Sequence, residues 1–448
     1  MPAALVRKFA VVASCCIVAG LCARPAAAQT VSIAGKRISS PINLDGKLDE
    51  PAWREAPVAQ LVQQSPRSGQ PTAYTTEVSV LVGDDAIYFG FTCHDPHPEA
   101  IAIHTMRRDG DLAGDDTVSV VLDTYGDRRT GYFFQVNAAA ARIDGLIADA
   151  ENVSLDWDGI WDAHTARTAQ GWTAEIVIPS RTLSFTPGLA HWGVNFERFV
   201  PREQLTLRWS SPTLDSFRYD LSRAGELANV GELQQGKGID LTPYVTGRTK
   251  RFFGVSPRSW QAAEGGEVTW KITSQLVTVV TVNTDFAETE VDARQINLTR
   301  FPLFFPEKRG FFLEGSNQYK FGLGLDTQFI PFFSRRVGLV GSAPIPINGG
   351  VKLNGRVGNW NLALLDVQTR ATILPQNVAK DLNLPSNNIG GANLLAGRVS
   401  YDFNENLRAG AIFTNGDPEG LRRNTLLGAD IVWRTTRFRG NKNFQVGA

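Results

Sequence analysis

The chain has 448 residues, and its 45 basic and 45 acidic side chains give a formal net charge of zero at pH 7. Charges of both signs are interspersed and form no basic face, so we expect no nucleic-acid partner. The length allows two or more domains. After residue 30, no stretch of about 18 consecutive apolar residues occurs, which predicts that no helix spans a membrane. Any membrane insertion must therefore use strands.

Residues 1–28 have the layout of a secretory signal peptide. Arg7 and Lys8 form a basic start, an apolar run follows from Phe9 to Leu21, and small residues precede the expected cleavage after Ala28. Three of the four cysteines leave with this signal. The mature chain keeps only Cys93, so we expect export without an internal disulfide.

Residues 31–230 alternate between apolar and polar positions with the period of half-buried strands. Val78, Val80 and Val82 occupy every second position, and segments near residues 87–93, 118–122, 132–136, 172–178 and 192–196 repeat the pattern. Short alternating strands separated by turns predict an antiparallel β-sandwich, jelly-roll-like in form. The one helix expected here covers residues 49–56, with Asp49 as its N-cap and Pro51 in its first turn.

Residues 239–448 have longer alternating segments, with apolar residues expected outside and polar residues inside. In residues 351–357, for example, valine, leucine and glycine alternate with Lys352, Asn354 and Arg356. Short turns near residues 358–359, 404–406 and 439–442 alternate with longer loops at 372–392 and 415–424. This rhythm predicts an outer-membrane-type antiparallel β-barrel, with a second soluble β-domain as the alternative. The strands are too few to close the barrel, so we expect an incomplete barrel and a truncated chain.

The motifs of the first part resemble the family 9 carbohydrate-binding modules and their relatives. The resemblance lies in Asp45–Trp53, Thr76–Val82, Ala86–Phe91, Asp115–Val118 and Gly171–Pro179, which occur in the family's order. It implies a β-sandwich that holds sugars between aromatic side chains and that often contains structural calcium.

The second part resembles an uncharacterised family of bacterial outer-membrane proteins that carry this module in front of a barrel. The resemblance lies in Asp285–Glu288, Val291–Asp292 and above all Phe304–Gly315. It implies a barrel in the cell outer membrane, in contact with lipid, and a sandwich in the periplasm, but no established activity. We expect residues 285–324 to fold into or across the barrel mouth as a constriction, because irregular backbone at membrane depth must lie inside protein or a wet cavity.

The candidate sugar site is the loop 156–162, in which Trp157 and Trp161 are flanked by acids and a glycine. Flat aromatic faces bind the C–H surfaces of sugars, and a few polar groups bind their hydroxyls. Arg107, Arg108 and Asn137 are the hydroxyl partners that the resemblance implies. The alternative is that both tryptophans pack in the core, since tryptophan is usually well buried.

Calcium requires six to eight oxygen ligands, and several aspartates lie near predicted strand ends. The candidates are Asp84, Asp95, Asp115 and Asp116, as a possible structural calcium site. No segment has the spacing of a dedicated calcium loop, and turn-forming aspartates explain these residues equally well. No other cofactor is expected.

Two functions of different classes follow from these features. In the first, the sandwich binds a glycan or sugar-like ligand beside an outer-membrane barrel. In the second, the sandwich is a non-catalytic structural or plug domain of a channel. A glycoside hydrolase acting in carbohydrate catabolism is a weaker third function, because modules of this kind accompany xylan-degrading enzymes but no catalytic carboxylate pair stands out in this chain.

Overall fold

The computed structural model describes residues 31–148, 150, 153–235, 238–250, 259–284, 307, 309–322, 330–340, 343–374, 376–381, 384, 386–417, 424–439 and 442–448. The predicted signal peptide, residues 1–28, lies outside the described residues. Of the described residues, 50% are in strands and 9% in helices, which confirms the predicted all-β class. None of the described helices is long and apolar enough to cross a membrane.

The first part of the chain forms two sheets from short strands. In chain order these strands are β1 (Ser32–Ala34), β2 (Lys36–Arg37), β3 (Val58–Gln60), β4 (Val62–Ser65), β5 (Thr76–Val82), β6 (Ala86–His94), β7 (Thr117–Asp123), β8 (Gly131–Asn137), β9 (Arg142–Ile147), β10 (Val153–Ser154), β11 (Asp162–Thr168), β12 (Gly171–Pro179), β13 (His191–Val200), β14 (Leu205–Arg208) and β15 (Gly225–Ala228). Short 3₁₀ helices connect some of them, at Pro98–Ala100, Ser180–Thr182, Pro201–Glu203 and Leu221–Arg223.

The two sheets pack face to face as a sandwich. The first sheet has the order β1-β15-β13-β7-β8-β9-β10, with β14 added to β13 and β4 added to β14. The second has the order β11-β12-β6-β5-β2, with β3 added to β5. Pairing is antiparallel except for β1 with β15 and β2 with β5. Because alternate residues point to one face of a strand, the predicted apolar positions meet between the sheets, where Phe89, Phe134, Trp172, Trp192 and Phe196 are all buried.

The predicted helix is shorter than its sequence pattern indicated. It forms as α1 (Pro51–Arg54), with Pro51 in the first turn. The N-cap is Glu50 rather than Asp49, and the Glu50 side chain makes no capping hydrogen bond. The helix is fixed instead by Trp53, which is 5% exposed. Tertiary packing therefore replaces capping as the source of stability for this single turn.

The second part of the chain forms one large antiparallel sheet. Its strands, in spatial order, are β16 (Ile239–Lys250), β17 (Ser259–Lys271), β18 (Leu276–Val282), β21 (Ile347–Val357), β22 (Trp360–Thr369), β25 (Asn393–Asp402), β26 (Leu407–Asn415), β27 (Thr425–Phe438) and β28 (Lys442–Gly447). Two small hairpins pair β19 (Leu339–Val340) with β20 (Ala343–Pro344), and β23 (Thr372–Ile373) with β24 (Asn388–Ile389). Within the described residues, β16 and β28 each pair on one side only, which fits an incomplete barrel.

The outer face of this sheet exposes many apolar side chains, as the sequence pattern predicted, whereas its inner face buries both charged and apolar residues. Lys352 is 1% exposed and Arg398 is 3% exposed on the inner face, whereas the outer face exposes Val351, Leu364 and Leu427. Other large apolar side chains exposed on these strands are Trp270, Val282, Val357, Trp360, Ile431, Phe444 and Val446, and Phe403 is exposed in the turn after β25.

Two further helices accompany the sheet, α2 (Gly310–Leu313) and α3 (Gln376–Asp381), with 3₁₀ helices at Ser316–Tyr319 and Ser334–Arg336. Helix α2 lies on the inner face, where Phe311 and Phe312 pack with Val279 and Leu365. The Lys352 ammonium donates to the carbonyl oxygens of Phe311 and Glu314. The described part of the predicted constriction therefore lies on the inner face of the sheet; residues 285–306, 308 and 323–324 lie outside the described residues.

Candidate functional site

The two tryptophans of the candidate sugar loop are buried in the sandwich core. Trp157 is 7% exposed and Trp161 is 4% exposed. Both rings pack edge-on against Phe134, at centroid distances of 6.2 and 5.2 Å. Neither tryptophan forms the open platform that the sequence suggested, because the segment 157–161 folds over the edge of the core and turns both rings inward. Their burial matches the core-packing alternative.

The three polar residues expected around a sugar, Arg107, Arg108 and Asn137, lie in different environments. Asn137 is fully buried, and its amide donates to the Thr105 carbonyl and to an Asp115 oxygen at 2.8 and 2.7 Å. It accepts the N–H groups of Ala139 and Ala141 as well, so its capacity is used within the fold. Arg107 is exposed. Only Arg108 lies in a polar cluster at the surface.

Arg108 lies among three carboxylates that could otherwise hold a metal ion. Carboxylate oxygens of Asp109, Asp144 and Asp158 lie within 4.8 Å of one another. The Arg108 Nη2 is 2.9 Å from an oxygen of Asp144 and from one of Asp158, and its Nε is 3.4 Å from Asp109. Because the Arg108 guanidinium lies beside all three carboxylates, it occupies the position that a metal ion would take.

Within the same cluster, Asp144 is the buried member. Its exposed fraction is zero, and it also accepts the backbone N–H of Gly159. Burial raises the pKa of Asp144 to about 6, against the opposing effect of Gly159 and Arg108. Asp144 therefore joins β9 to the loop that carries both tryptophans.

The four aspartates proposed for calcium do not come together. Asp84 is exposed and pairs with Arg37 at 2.7 Å. Asp95 and Asp116 are buried beside the guanidinium groups of Arg198 and Arg202.

The fourth candidate, Asp115, is fully buried in a third environment. Its oxygens accept from Asn137 and from the backbone N–H and ring of His104. Calcium needs six to eight oxygens around one point, and arginines occupy the places beside two of these carboxylates. The set does not fit calcium.

A groove of about 810 Å³ crosses the outer face of the first sandwich sheet. Strands β8, β9, β13 and β14 form its floor, and the loops around residues 109–113, 155–158 and 218–219 form its walls. The apolar lining includes Phe133, Phe199 and Tyr219, and the rings of Phe133 and Tyr219 meet edge-on at 5.1 Å. The polar lining includes Gln135 and Arg218. The groove has the volume and the mixed lining of a small-molecule site.

The groove residues were only partly visible in the sequence. Tyr132, Phe134 and Val136 alternate toward the core, so Phe133 and Gln135 between them must face outward. The sequence alone therefore indicated that Phe133 and Gln135 lie on the outer face of the sandwich. Tyr219 and Arg218 lie on an irregular segment after β14, and no local pattern brings that segment over β8.

Two sequence motifs of the first part, residues 45–53 and 171–179, meet at one buried carboxylate. Glu175 is 1% exposed and accepts the backbone N–H groups of Asp45 and Gly46, at 3.0 and 2.8 Å, and the Trp53 indole N–H at 2.9 Å. Burial raises the pKa of Glu175, and these three donors oppose the shift. Residues 45–53 and 171–179 are therefore parts of one framework contact.

The sandwich is joined to the large sheet at the end where the sheet has its short turns. Arg129, in the turn between β7 and β8, is 5% exposed and donates to the carbonyl oxygens of Asn404 and Glu405 and to Asp402. Arg356 bridges the two parts, because it donates to Asp127 at 2.9 Å and to Asp402 at 2.7 Å. The Trp157 indole donates to Glu314 at 3.1 Å.

Both parts of the chain have counterparts among known proteins. Residues 238–349 match a domain of unknown function, DUF5916. Among solved structures, a family 9 carbohydrate binding module from Caldicellulosiruptor kristjanssonii in complex with cellotriose is 18% identical, with a TM-score of 0.33, over 45% of this chain and 94% of that chain. A family 9 module from the same organism in complex with glucose is 17% identical, with a TM-score of 0.33, over 44% and 95%.

A protein from Bacteroides uniformis ATCC 8492, provisionally described as carbohydrate-binding, is 14% identical, with a TM-score of 0.38, over 44% of this chain and 99% of that chain. No curated protein matches the chain significantly. Similarity at these levels identifies no ligand for this chain.

Proposed function

We propose that this chain is a carbohydrate-binding protein of the cell envelope, in which the sandwich binds a glycan and the large sheet is part of an outer-membrane barrel. The observation that carries the sugar-binding part is the groove on the first sandwich sheet. Its volume of about 810 Å³ is sufficient for a short oligosaccharide. The buried loop tryptophans have no part in this site.

The lining of the groove favours a neutral sugar over an acidic one. Tyr219 and Phe199 are half-buried rings that offer apolar surface, and Gln135 offers an amide for hydroxyl groups. Four acidic residues line the groove against one basic residue, Arg218, and they are Asp109, Asp111, Asp156 and Asp158. A uronate would meet net repulsion there.

Glycan-array binding with the full chain tests the sugar-binding part. We expect neutral oligosaccharides to bind, and Tyr219→Ala to weaken binding up to about tenfold, because one aromatic contact contributes roughly 0.5–1.5 kcal/mol. The matched control is Phe217→Ala, which removes an exposed ring two residues away that does not line the groove. Binding that is unchanged in Tyr219→Ala, or lost equally in both variants, would refute this site.

The apolar outer face of the large sheet supports the outer-membrane part of the proposal. Large apolar side chains are exposed along its outer face, and charged ones are buried along its inner face. The sandwich joins the short-turn end, near residues 358–359 and 404–406. Outer-membrane barrels have their short turns on the periplasmic side, so the junction supports a periplasmic sandwich.

Flotation of the folded chain with phospholipid vesicles tests the membrane part. Leu364→Arg places a charge at mid-height of β22 on the outer face, where arginine costs roughly 2–4 kcal/mol in a bilayer. We expect the fraction that floats to fall steeply. Val58→Arg, an equivalent change at an exposed valine of the sandwich, should leave it unchanged. Equal flotation of Leu364→Arg and the unchanged chain would rule out a lipid-facing surface.

The buried junction favours a second candidate function, a plug or structural domain of a channel. Arg129 donates to Asp402 of the large sheet, and Trp157 donates to Glu314, which follows helix α2 on the inner face of that sheet. A docked sandwich would obstruct the short-turn end of a pore. Conductance in planar bilayers should then rise in Arg129→Ala and stay unchanged in Arg37→Ala, a surface arginine of the sandwich. The same conductance in all three proteins would exclude a plug.

A further inference from the structure

A second cavity lies where three parts of the chain meet, away from the groove. The sandwich contributes Tyr125, Tyr132 and Ser184 to its lining. Residues 314–320, which lie on the inner face of the large sheet and are called the inner segment below, contribute further lining. The remaining lining belongs to the inner face of the large sheet and includes Asn354, Arg356, Asn361, Arg398, Ser400 and Arg408. The cavity measures about 70 Å³.

Two side chains that line this cavity carry polar atoms without a hydrogen-bond partner among the described residues. Arg398 and Asn354 are each 3% exposed. Asp430 pairs with the Arg398 guanidinium through Nη2 alone, at 2.6 and 2.9 Å, so Nε and Nη1 have no acceptor. The Asn354 Oδ1 also has no donor among the described residues, but as an acceptor it does not itself call for an anion. A buried charged donor in the state of Arg398 is costly unless something else satisfies it.

The fold also leaves room for the Arg398 guanidinium. Gly410 lies against it on the neighbouring strand β26, and a Cβ at that position would be 2.6 Å from Nη1. The Phe321 ring lies 5.4 Å from the guanidinium carbon. Glycine at position 410 thus leaves the space that the Arg398 guanidinium occupies beside that strand.

The charge of the lining selects the kind of ligand. Four lining residues are basic and one, Glu314, is acidic. Asp402 pairs with Arg356 and Arg408, and Asp430 pairs with Arg398, but neither aspartate lines the cavity. The lining therefore presents mainly N–H donors on cationic groups. Such donors bind oxyanions with the strongest hydrogen bonds that proteins make.

The volume limits the size of that ligand. One water molecule needs about 10–15 Å³ of such space, so a cavity of about 70 Å³ has room for a few waters or for one small oxyanion. We propose that the cavity binds one small oxyanion, a phosphate or a carboxylate, with Arg398 as its principal donor. This site is separate from the glycan groove and does not depend on it.

An anion in this cavity would stabilise the docked sandwich. The lining is complete only when the sandwich, the inner segment and the sheet are together, so the anion binds the docked arrangement in preference to an open one. Preferential binding to one arrangement shifts the equilibrium toward it by mass action.

Calorimetric titration of the full chain with inorganic phosphate, and separately with acetate, at constant chloride tests the proposal. We expect one anion per chain. Gln318→Glu should weaken binding about tenfold or more, because it adds a negative charge to the lining while keeping the acceptor that Gln318 offers to the Gly355 N–H at 3.0 Å. Gln70→Glu makes the same change at an exposed position of the sandwich and should bind as the unchanged chain does.

A second variant keeps the test decisive if Gln318→Glu fails to fold. Asn354→Asp changes one lining atom without changing shape and should weaken binding to a similar degree. Circular dichroism establishes that each variant is folded. Binding of phosphate alone or of acetate alone supports the site and identifies the preferred oxyanion. No heat with either anion, or equal affinity in the unchanged chain and a folded cavity variant, would overturn the proposal.

Discussion

Replacing Arg129 by methionine should loosen the attachment of the sandwich to the large sheet. Methionine keeps a long apolar stem but removes the guanidinium that makes four hydrogen bonds across the junction. These bonds go to the Glu405 carbonyl at 2.8 and 2.7 Å, to the Asn404 carbonyl at 3.3 Å and to Asp402 at 3.1 Å. With Arg129 only 5% exposed, water cannot readily replace them.

The magnitude follows from the partners that remain. Asp402 keeps Arg356, Arg408 and Asn361 after the substitution, so its charge is not left unpaired. The loss is then mainly that of the bonds to the Glu405 carbonyl, since hydrogen bonds to a charged group contribute about 1.5–3 kcal/mol each. We expect the free energy of local opening to fall by about 3 kcal/mol, which is roughly a 100-fold increase in opening equilibrium.

Native-state hydrogen exchange measures this opening directly. Backbone amides in residues 123–131 and 402–408 should exchange roughly 100-fold faster in Arg129→Met. Arg128→Met is the control, because Arg128 is adjacent, has 31% of its side chain exposed and makes only a 3.6 Å ion pair with Glu226. If exchange in the two variants accelerates equally, or in neither, then the junction is not held by Arg129 and the reasoning fails.

Two further predictions concern buried carboxylates of the sandwich. Trp53→Phe removes the indole donor to Glu175 and should lower the free energy of unfolding by about 1–3 kcal/mol, whereas Trp260→Phe, at a 73% exposed position, should leave it nearly unchanged. Urea unfolding followed by circular dichroism compares the two, and equal midpoints would contradict the framework role of Trp53. Burial raises the pKa of Asp144 to about 6, so its contribution to stability is present below about pH 4 and is lost as pH rises through 6. The stability of the unchanged chain relative to Asp144→Asn should therefore fall by about 3 kcal/mol between pH 4 and pH 7, and a difference independent of pH would refute the assigned cause.

The period-two pattern by itself determined the class of both parts. Alternation fixes which residues share a face of a strand, and that is a local property of the backbone. It correctly placed Lys352 and Arg356 inside the large sheet with their apolar neighbours outside. It also located the turns at residues 358–359 and 404–406, because glycine and asparagine there favour tight reversals.

The tertiary structure alone decided what the conspicuous side chains do. Trp157 and Trp161 lie on an irregular loop, where no periodicity says which way a ring faces, and packing against Phe134 turned both into the core. The four aspartates proposed for calcium are close to strand ends in sequence but lie in three environments in space, and only Asp95 and Asp116 share partners, Arg198 and Arg202.

The groove and the anion cavity each require segments that are far apart in the chain. Tyr219 contacts Phe133, which lies 86 positions earlier in the chain. Arg398 shares a cavity with Tyr132 only after the sandwich has docked on the sheet. Strand alternation is read from neighbouring residues, whereas contacts of this kind depend on strand order and docking, which no local pattern in the sequence encodes.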